Sequence, residues 1–350
     1  MGNWTMKKDT ENLIVGRHGF SSAIKHVSLD YPVIYMIIVL CIFMAFQNPN
    51  FFSLQSIISM FTSYAYFTVG AIGLVFVFIS GNSGIDLSIG NVAAFSAVIS
   101  TSVMSALNDL GTMNPWLIIL LGLFISVGIG VAFGFFNGIA IAKFNIAPFI
   151  ITLATQLLSL GLSYVYTNGY TVSGAPRELS KLSTLIGIHI GDNIIPAAAI
   201  LPFIIIIIMA LIQGKTTFGR QVILTGSNPS SAEHAGISPK RMYLIVYVMS
   251  GFFAGLTGMF IPMCIGAVNP DVGTTFLMPM VAAVTIGGIS QTGGYGNMLQ
   301  AFLGIVFIIL LMSAMTFLGF GLPIQQLAYG VVIVFTMTLL GYLEKKRFRN

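Results

Sequence analysis

Residues 31–85 read YPVIYMIIVLCIFMAFQNPNFFSLQSIISMFTSYAYFTVGAIGLVFVFISGNSGI, with no Lys, Arg, Asp or Glu among them. Placing an ionised side chain in hydrocarbon costs at least about 2.5–3.5 kcal/mol, so a run of this length without charge is the mark of chain that lies in a bilayer. Two membrane helices fit in it, divided at the polar step Gln47-Asn48-Pro49-Asn50. The rest of the chain has the same character. Of 350 residues 56% are hydrophobic and 7% are charged, against about 25% charged in a soluble domain. Backbone groups in lipid must bond to one another, and no short alternating strands of a barrel are present, so the expected fold class is all-α.

Uncharged apolar stretches of roughly 17–25 residues predict about ten spans, near residues 31–46, 54–79, 87–107, 115–142, 144–166, 194–213, 242–265, 274–289, 298–318 and 323–343. With the N-terminus in the cytoplasm, the inside segments hold Lys7, Lys8, Arg17, Lys25, Lys143, Lys215, Arg220, Lys240, Arg241, Lys345, Lys346, Arg347 and Arg349, and the outside segments only Arg177 and Lys181. Basic residues collect on the cytoplasmic side, so both termini are expected inside and the number of spans even. The first 30 residues are polar and no small-residue cleavage site follows, so the first span is expected to remain as an anchor. The net charge of +5 sits at membrane edges rather than along one face, which excludes a nucleic-acid binder.

Spans two to five start outside and spans seven to ten inside, the arrangement of an inverted repeat. Gly81–Asp86 and Gly266–Gly273 are Gly-rich breaks that each carry an Asp. Cys41 and Cys264 lie in apolar stretches without metal or redox spacing and read as packing residues.

The predicted spans hold no acidic or basic residue and none of the four histidines, which disfavours ion coupling because proton and sodium sites are usually built from intramembrane Asp, Glu or His. Gly214-Lys215-Thr216 imitates the end of a phosphate-binding loop, but Met209 stands where its first glycine belongs and the preceding segment is a membrane helix, not a strand. No acid, base or metal constellation points to an enzyme, and no cofactor is expected. Energy for transport must then come from a partner.

The loop between spans six and seven offers a docking element, Asn228-Pro229-Ser230-Ser231-Ala232-Glu233-His234-Ala235-Gly236. Asn228 suits the N-cap, Pro229 the first helical position and Gly236 a left-handed terminator. The small polar faces of this short helix lack the apolar stripe that membrane adsorption needs.

Here the sequence resembles a family. Thr217-Phe218-Gly219-Arg220, Gly226-Ser227-Asn228-Pro229 and Ala235-Gly236-Ile237 are similar to the loop of ribose-type ABC permeases. Ser83–Gly90, Pro148–Leu153 with Tyr166–Gly169, and Ala282–Gly296 resemble three further blocks of that family in the same order. The blocks span about residues 50–343. One departure is Leu160-Gly161, where the family usually has Arg-Gly.

The resemblance implies a permease that works with a second permease (the same or a different chain), cytoplasmic ABC ATPase subunits and an extracytoplasmic solute-binding protein, in the bacterial inner membrane, importing a monosaccharide. It implies a single transmembrane domain over 31–343, flanked by a cytoplasmic segment 1–30 and a basic tail 344–350, with a coupling loop 214–241 whose helix 228–236 seats on the ATPase. Nucleosides or furanone-type signals are alternative cargoes, and an ion-coupled or facilitative carrier is the alternative class. A neutral polyol needs hydroxyls and amides, and the candidates at membrane depth are Thr155, Gln156, Ser159, Asn137, Tyr64 and Gln300, each equally able to serve as interhelical glue. Asp86, beside Gly84 and before Ser88, reads as an N-cap in water or a gating residue. Gly287, Gly288, Gly293 and Gly294 read as close-approach and turn glycines.

Overall fold

The computed structural model describes residues 31–347 except Ser83 and Asp192. The predicted cytoplasmic segment 1–30 and the last three residues of the basic tail lie outside the described residues.

The protein is almost entirely helical, and each of the ten predicted stretches is helix. They are α1 (Val33–Gln47), α2 (Leu54–Ser63) with α3 (Ala65–Ile79), α4 (Ile89–Asp109), α5 (Pro115–Phe144), α6 (Pro148–Thr167), α8 (Ala197–Lys215), α11 (Pro239–Ile265), α12 (Val272–Ile286), α13 (Met298–Phe317) and α14 (Leu322–Arg347). Three short helices, α7 (Arg177–Lys181), α9 (Thr217–Ser227) and α10 (Pro229–His234), lie in the connections. Six helices are long and apolar enough to cross a bilayer, or seven if α2 and α3 count as one bent span; α1, α12 and the described apolar part of α14 are shorter.

The second predicted span is not a single rod. α2 and α3 meet at Tyr64 with a 56° bend, although neither Pro nor Gly is there. The Thr62 hydroxyl donates to the Ile58 carbonyl and the Thr68 hydroxyl to the Tyr64 carbonyl. The same backward bonds recur along the unbroken α6, at Thr152, Thr155, Ser159, Ser163 and Thr167, so they do not mark the bend.

Beyond the bend, α3 is buried along all its length except Tyr66. A helix that is apolar all round belongs in the centre of the bundle. α5 and α11 pack through small residues: a Cβ on Gly130 or Gly134 would strike the backbone of Gly251, and one on Gly255 the backbone of Ser126 and Val127. The Ser126 hydroxyl donates to the Gly255 carbonyl at 2.6 Å. Backbone contact of this kind supplies the dispersion and hydrogen bonding that hold helices together where lipid removes the hydrophobic drive.

The connections fall into two groups, one at each end of the bundle. At one end the Ile79 carbonyl accepts from the Gly294 amide and Gly81 lies against Gly226 and Gly293. At the other, Val172 pairs with Val268 in a two-stranded ladder, Gly174 rests on Ser105, and the rings of Phe51 and Phe317 meet at 5.2 Å. A second ladder joins Gly187–Ile190 to Asn193–Pro196. The first group contains the predicted inside loops and the second the predicted outside ones. The helices that follow the two Gly-rich breaks meet at their starts: Gly90 of α4 abuts Gly273 of α12, and the Thr274 hydroxyl donates to Asn91 Oδ1 at 3.0 Å.

Candidate functional site

The short helix of the long inside loop has the predicted capping. Asn228 Oδ1 accepts from the Ser231 amide at 3.1 Å, Pro229 opens the helix, and Gly236 has a φ of +78°. The helix ends at His234, with Ala235 as its C-cap. Ala232 is buried and turns the helix onto the body of the protein, while Ser230, Ser231, Glu233, His234, Ala235 and Gly236 are exposed. The loop therefore presents a small polar knuckle to solvent.

Directly behind the knuckle, three connections interlock. A Cβ on Gly226 would strike the Ile79 carbonyl and the Gly294 amide. The Ser227 hydroxyl points to the Gly294 carbonyl at 3.4 Å while donating to Ile223. Gln213, at the end of α8, donates to the Gly296 carbonyl at 2.9 Å and accepts from the Met298 amide at 2.7 Å. Gly288, Gly293 and Gly294 have φ of +97°, +97° and +75°, conformations open to glycine, whereas Gly287 is helical and packs against the Gln300 carbonyl. The loop 287–297 is thus fastened to the segments on both sides of α9. The role of Gln213 is absent from the sequence reading, because a Gln before a Gly-Lys-Thr step looks like any polar helix end.

Asp86 is not an N-cap in water. It is 2% exposed and its carboxyl accepts from the Ser88 amide at 2.9 Å, the Ser88 hydroxyl at 2.6 Å and the Ser250 hydroxyl at 2.6 Å. The N-cap position of α4 is held by Ser88, to which Asp86 bonds from two residues upstream; the enclosure comes from α11, which closes over it. The chain of bonds continues: Asn137 Nδ2 donates to Ser88 Oγ at 3.0 Å, and Thr155 donates to Asn137 Oδ1 at 2.6 Å. Thr152 and Tyr247 both donate to the Ile85 carbonyl. One polar pin therefore joins the α3–α4 connection to α5, α6 and α11, and Gly84 turns the chain into it with its amide on the Gly81 carbonyl.

Most of the pathway candidates have structural employment. Thr155, Asn137 and Ser159 are buried, and Ser159 donates within α6. Gln300 belongs to a capping box with Asn297 at the start of α13. Gln156 is half-buried, and its carbonyl faces Asn91 and Ser159. Leu160, at the family's arginine position, is half-buried, and Gly161 faces open space. Tyr64 lines a cavity of ≈ 370 Å³ between α2 and α13.

The architecture is that of a polytopic α-helical membrane protein in which a polar network pins several helices together and an exposed knuckle stands on the longest predicted inside loop. A family profile described as branched-chain amino acid transport system / permease component matches residues 56–340, and the chain belongs to that permease family. It is similar to the ribose import permease protein of Haemophilus influenzae, 27% identical over 98% of this chain and 99% of the relative. It is also similar to the galactose/methyl galactoside import permease protein of Escherichia coli, 26% identical over 89% of this chain and 94% of the relative. The autoinducer 2 import system permease protein of Photorhabdus laumondii subsp. laumondii is 31% identical over 84% of each chain. No solved structure is matched by the chain.

Proposed function

We propose that this chain is the permease subunit of an ATP-driven importer in the bacterial inner membrane, carrying a monosaccharide delivered by an extracytoplasmic binding protein. Residues 31–343 form one transmembrane domain paired with a second permease, and residues 214–241 form its coupling loop. The observation that carries this reading is the knuckle Asn228–Gly236: capped, exposed on its small polar side, and seated through Ala232. A cytoplasmic ATPase groove receives it, and closure of paired ATPase domains moves the attached helices as a body. Glu233 and His234 are its polar contacts. ATP is hydrolysed by the partner, since this chain has no phosphate loop.

Charge reversal at Glu233 with a bulky residue at Ala235 (Glu233→Lys/Ala235→Trp) uncouples ATPase activity from uptake in proteoliposomes holding the assembled importer. Unchanged uptake by that variant refutes the docking role. The similarity to an autoinducer 2 permease favours one second reading, the same machine with a furanone-type cargo, and competition of labelled sugar uptake by that signal distinguishes the two. Uptake by the purified chain alone, without ATP, would instead identify a facilitative or ion-coupled carrier.

A further inference from the structure

The ladder Gly187–Ile190 with Asn193–Pro196, at the predicted outside end, has one covered strand and one bare one. Asn193–Pro196 packs against α2 and α8 and runs directly into α8. Every residue of Gly187–Ile190 is exposed, and Leu185, Ile186, Ile188 and Ile190 form an exposed apolar run. Backbone is left bare as well. The register sets Ile190 opposite Asn193 and Ile188 opposite Ile195, and the Ala197 amide donates to the Ile186 carbonyl at 2.7 Å. Bonded and unbonded pairs alternate in an antiparallel ladder. Ile186, Ile188 and Ile190 therefore bond inward, and the amides and carbonyls of Gly187 and His189 point outward. Pro196 stands opposite Gly187 and has no amide to offer, in keeping with that phase. Among the described residues nothing bonds to the outward groups. The strand has no Pro, no Lys or Arg and no bulge, the devices that keep a free edge from pairing.

The surroundings select the partner. Lipid is excluded over the edge, because its outward amides and carbonyls would stay unbonded in hydrocarbon. A partner that docks and leaves would return the isoleucines to water at each departure, and exposed apolar surface of this kind belongs to lasting interfaces. The helix beneath the ladder carries a second uncovered feature: Gln55, Ser59 and Ser63 of α2 are exposed at every fourth residue. Ser63 lies roughly 12 Å along the helix from Gln55, a depth that a water-soluble protein does not reach. A partner that is itself embedded in the membrane covers both. The edge is also complementary to itself. A two-fold axis sets Gly187–Ile190 antiparallel to its own image, with Gly187 opposite His189 and Ile188 opposite Ile188, so the four outward groups of each strand bond to the other. No charged side chain stands in the strand to meet its like across the axis.

We infer that Gly187–Ile190 is the edge through which two copies of this chain join outside the membrane, closing two ladders into one four-stranded sheet. The junction rests on the proposed pairing of permeases for its physiological meaning, and it is testable without transport.

Ile188→Cys, made in a Cys41→Ser/Cys264→Ser background of the full chain, is oxidised with copper phenanthroline in membranes that also hold the other importer subunits. Across the axis the two Ile188 Cα atoms stand about 4.5 Å apart, the spacing of an unbonded antiparallel pair, within the about 4.4–6.8 Å that a disulfide spans. A covalent dimer is expected. Ile190→Cys is the register control: its two copies lie four residues apart along the paired strands, roughly 13 Å, and give no dimer. His189→Pro removes an outward amide without touching an inward one, and lowers the yield of the Ile188→Cys dimer several-fold.

No dimer from Ile188→Cys, or equal dimer from Ile188→Cys and Ile190→Cys, overturns the junction. So does a benzoylphenylalanine in place of Ile188 that captures the binding protein rather than a second copy. Quenching of a bimane on Ile188→Cys by brominated lipid also overturns it, since that places the edge in the bilayer. A failed dimer with ATP-dependent uptake intact refutes the junction and leaves the importer reading in place. Absence of ATP-dependent uptake by the unaltered importer refutes the importer reading, and the crosslinks then decide the junction by themselves.

Discussion

At the scale of single residues, the pin around Asp86 separates what sequence makes legible from what it hides. The contact from Asp86 to Ser88 spans two residues and follows from the sequence Asp-Leu-Ser before a helix. The contact to Ser250 crosses 164 residues, and no local signal announces it. The same distance effect hides the bonds of Asn137 to Ser88 and of Thr155 to Asn137, for polarity at membrane depth is common to a pathway and to packing. Their energetics differ. Ser250→Ala leaves a buried acceptor of Asp86 unsatisfied and is expected to cost about 1–3 kcal/mol. Thr155→Val is expected to cost about 1 kcal/mol, the low end of that range, because the acceptor it leaves unpaired, Asn137 Oδ1, is an amide rather than a carboxyl. Thermal unfolding of the purified variants in detergent checks the order: Ser250→Ala melts lower than Thr155→Val. The reverse order would mean that the carboxyl is not the anchor of the pin.

At the scale of elements, the short helix and its caps at 228–236 are the part the sequence states best, because each of their signals acts on the nearest turn: Asn228 on Ser231, Pro229 on its own φ, Gly236 on the chain reversal. The bend at Tyr64 was hidden for the opposite reason. No Pro or Gly marks it, and the threonine back-bonds beside it occur equally along the unbroken α6. The glycine junction behind the knuckle is intermediate: its glycines are visible as a composition, and their partners are not. Its geometry makes a definite prediction. Gly294 has a φ of +75°, which costs an L side chain about 1–2 kcal/mol, and a Cβ there would also meet the backbone of Ser227 at 2.6 Å. Gly294→Ala is therefore expected to loosen the knuckle from the loop 287–297 and to lower uptake per ATP hydrolysed by the assembled importer. Gly128→Ala, in a helix with open space around the site, is expected to leave that ratio unchanged. If both alanines behave alike, the junction does not transmit motion.

At the scale of the whole molecule, charge and contact arrive at the same arrangement by separate routes. The basic residues divide thirteen to two between alternate loops, and the connections gather at two ends in the same division, with Gly81, Gly226 and Gly293 at one and Val172, Val268, Phe51 and Phe317 at the other. Helix length alone does not give this result. α12 has 15 residues, or roughly 22 Å at 1.5 Å per residue, short of the roughly 30 Å hydrocarbon core. Yet its two ends sit in opposite groups: Val268 just before it pairs with Val172, and Gly294 just after it bonds to Ile79. The broken chain on either side, carrying Gly266, Gly287 and Gly288, completes the crossing; the irregular backbone after the helix is enclosed by protein, Gly287 and Ile289 being buried, as non-helical chain at membrane depth requires. Cysteines at the exposed positions Asn269 and Thr292, introduced in the Cys41→Ser/Cys264→Ser background, test this directly. In intact cells an impermeant maleimide is expected to label Asn269→Cys, and Arg177→Cys as the outside reference. Thr292→Cys and Lys240→Cys are expected to react only after permeabilisation. Labelling of Asn269→Cys and Thr292→Cys from the same side would make α12 a re-entrant hairpin, move the C-terminal basic cluster to the outer face, and detach the glycine junction from the cytoplasmic knuckle it is proposed to serve.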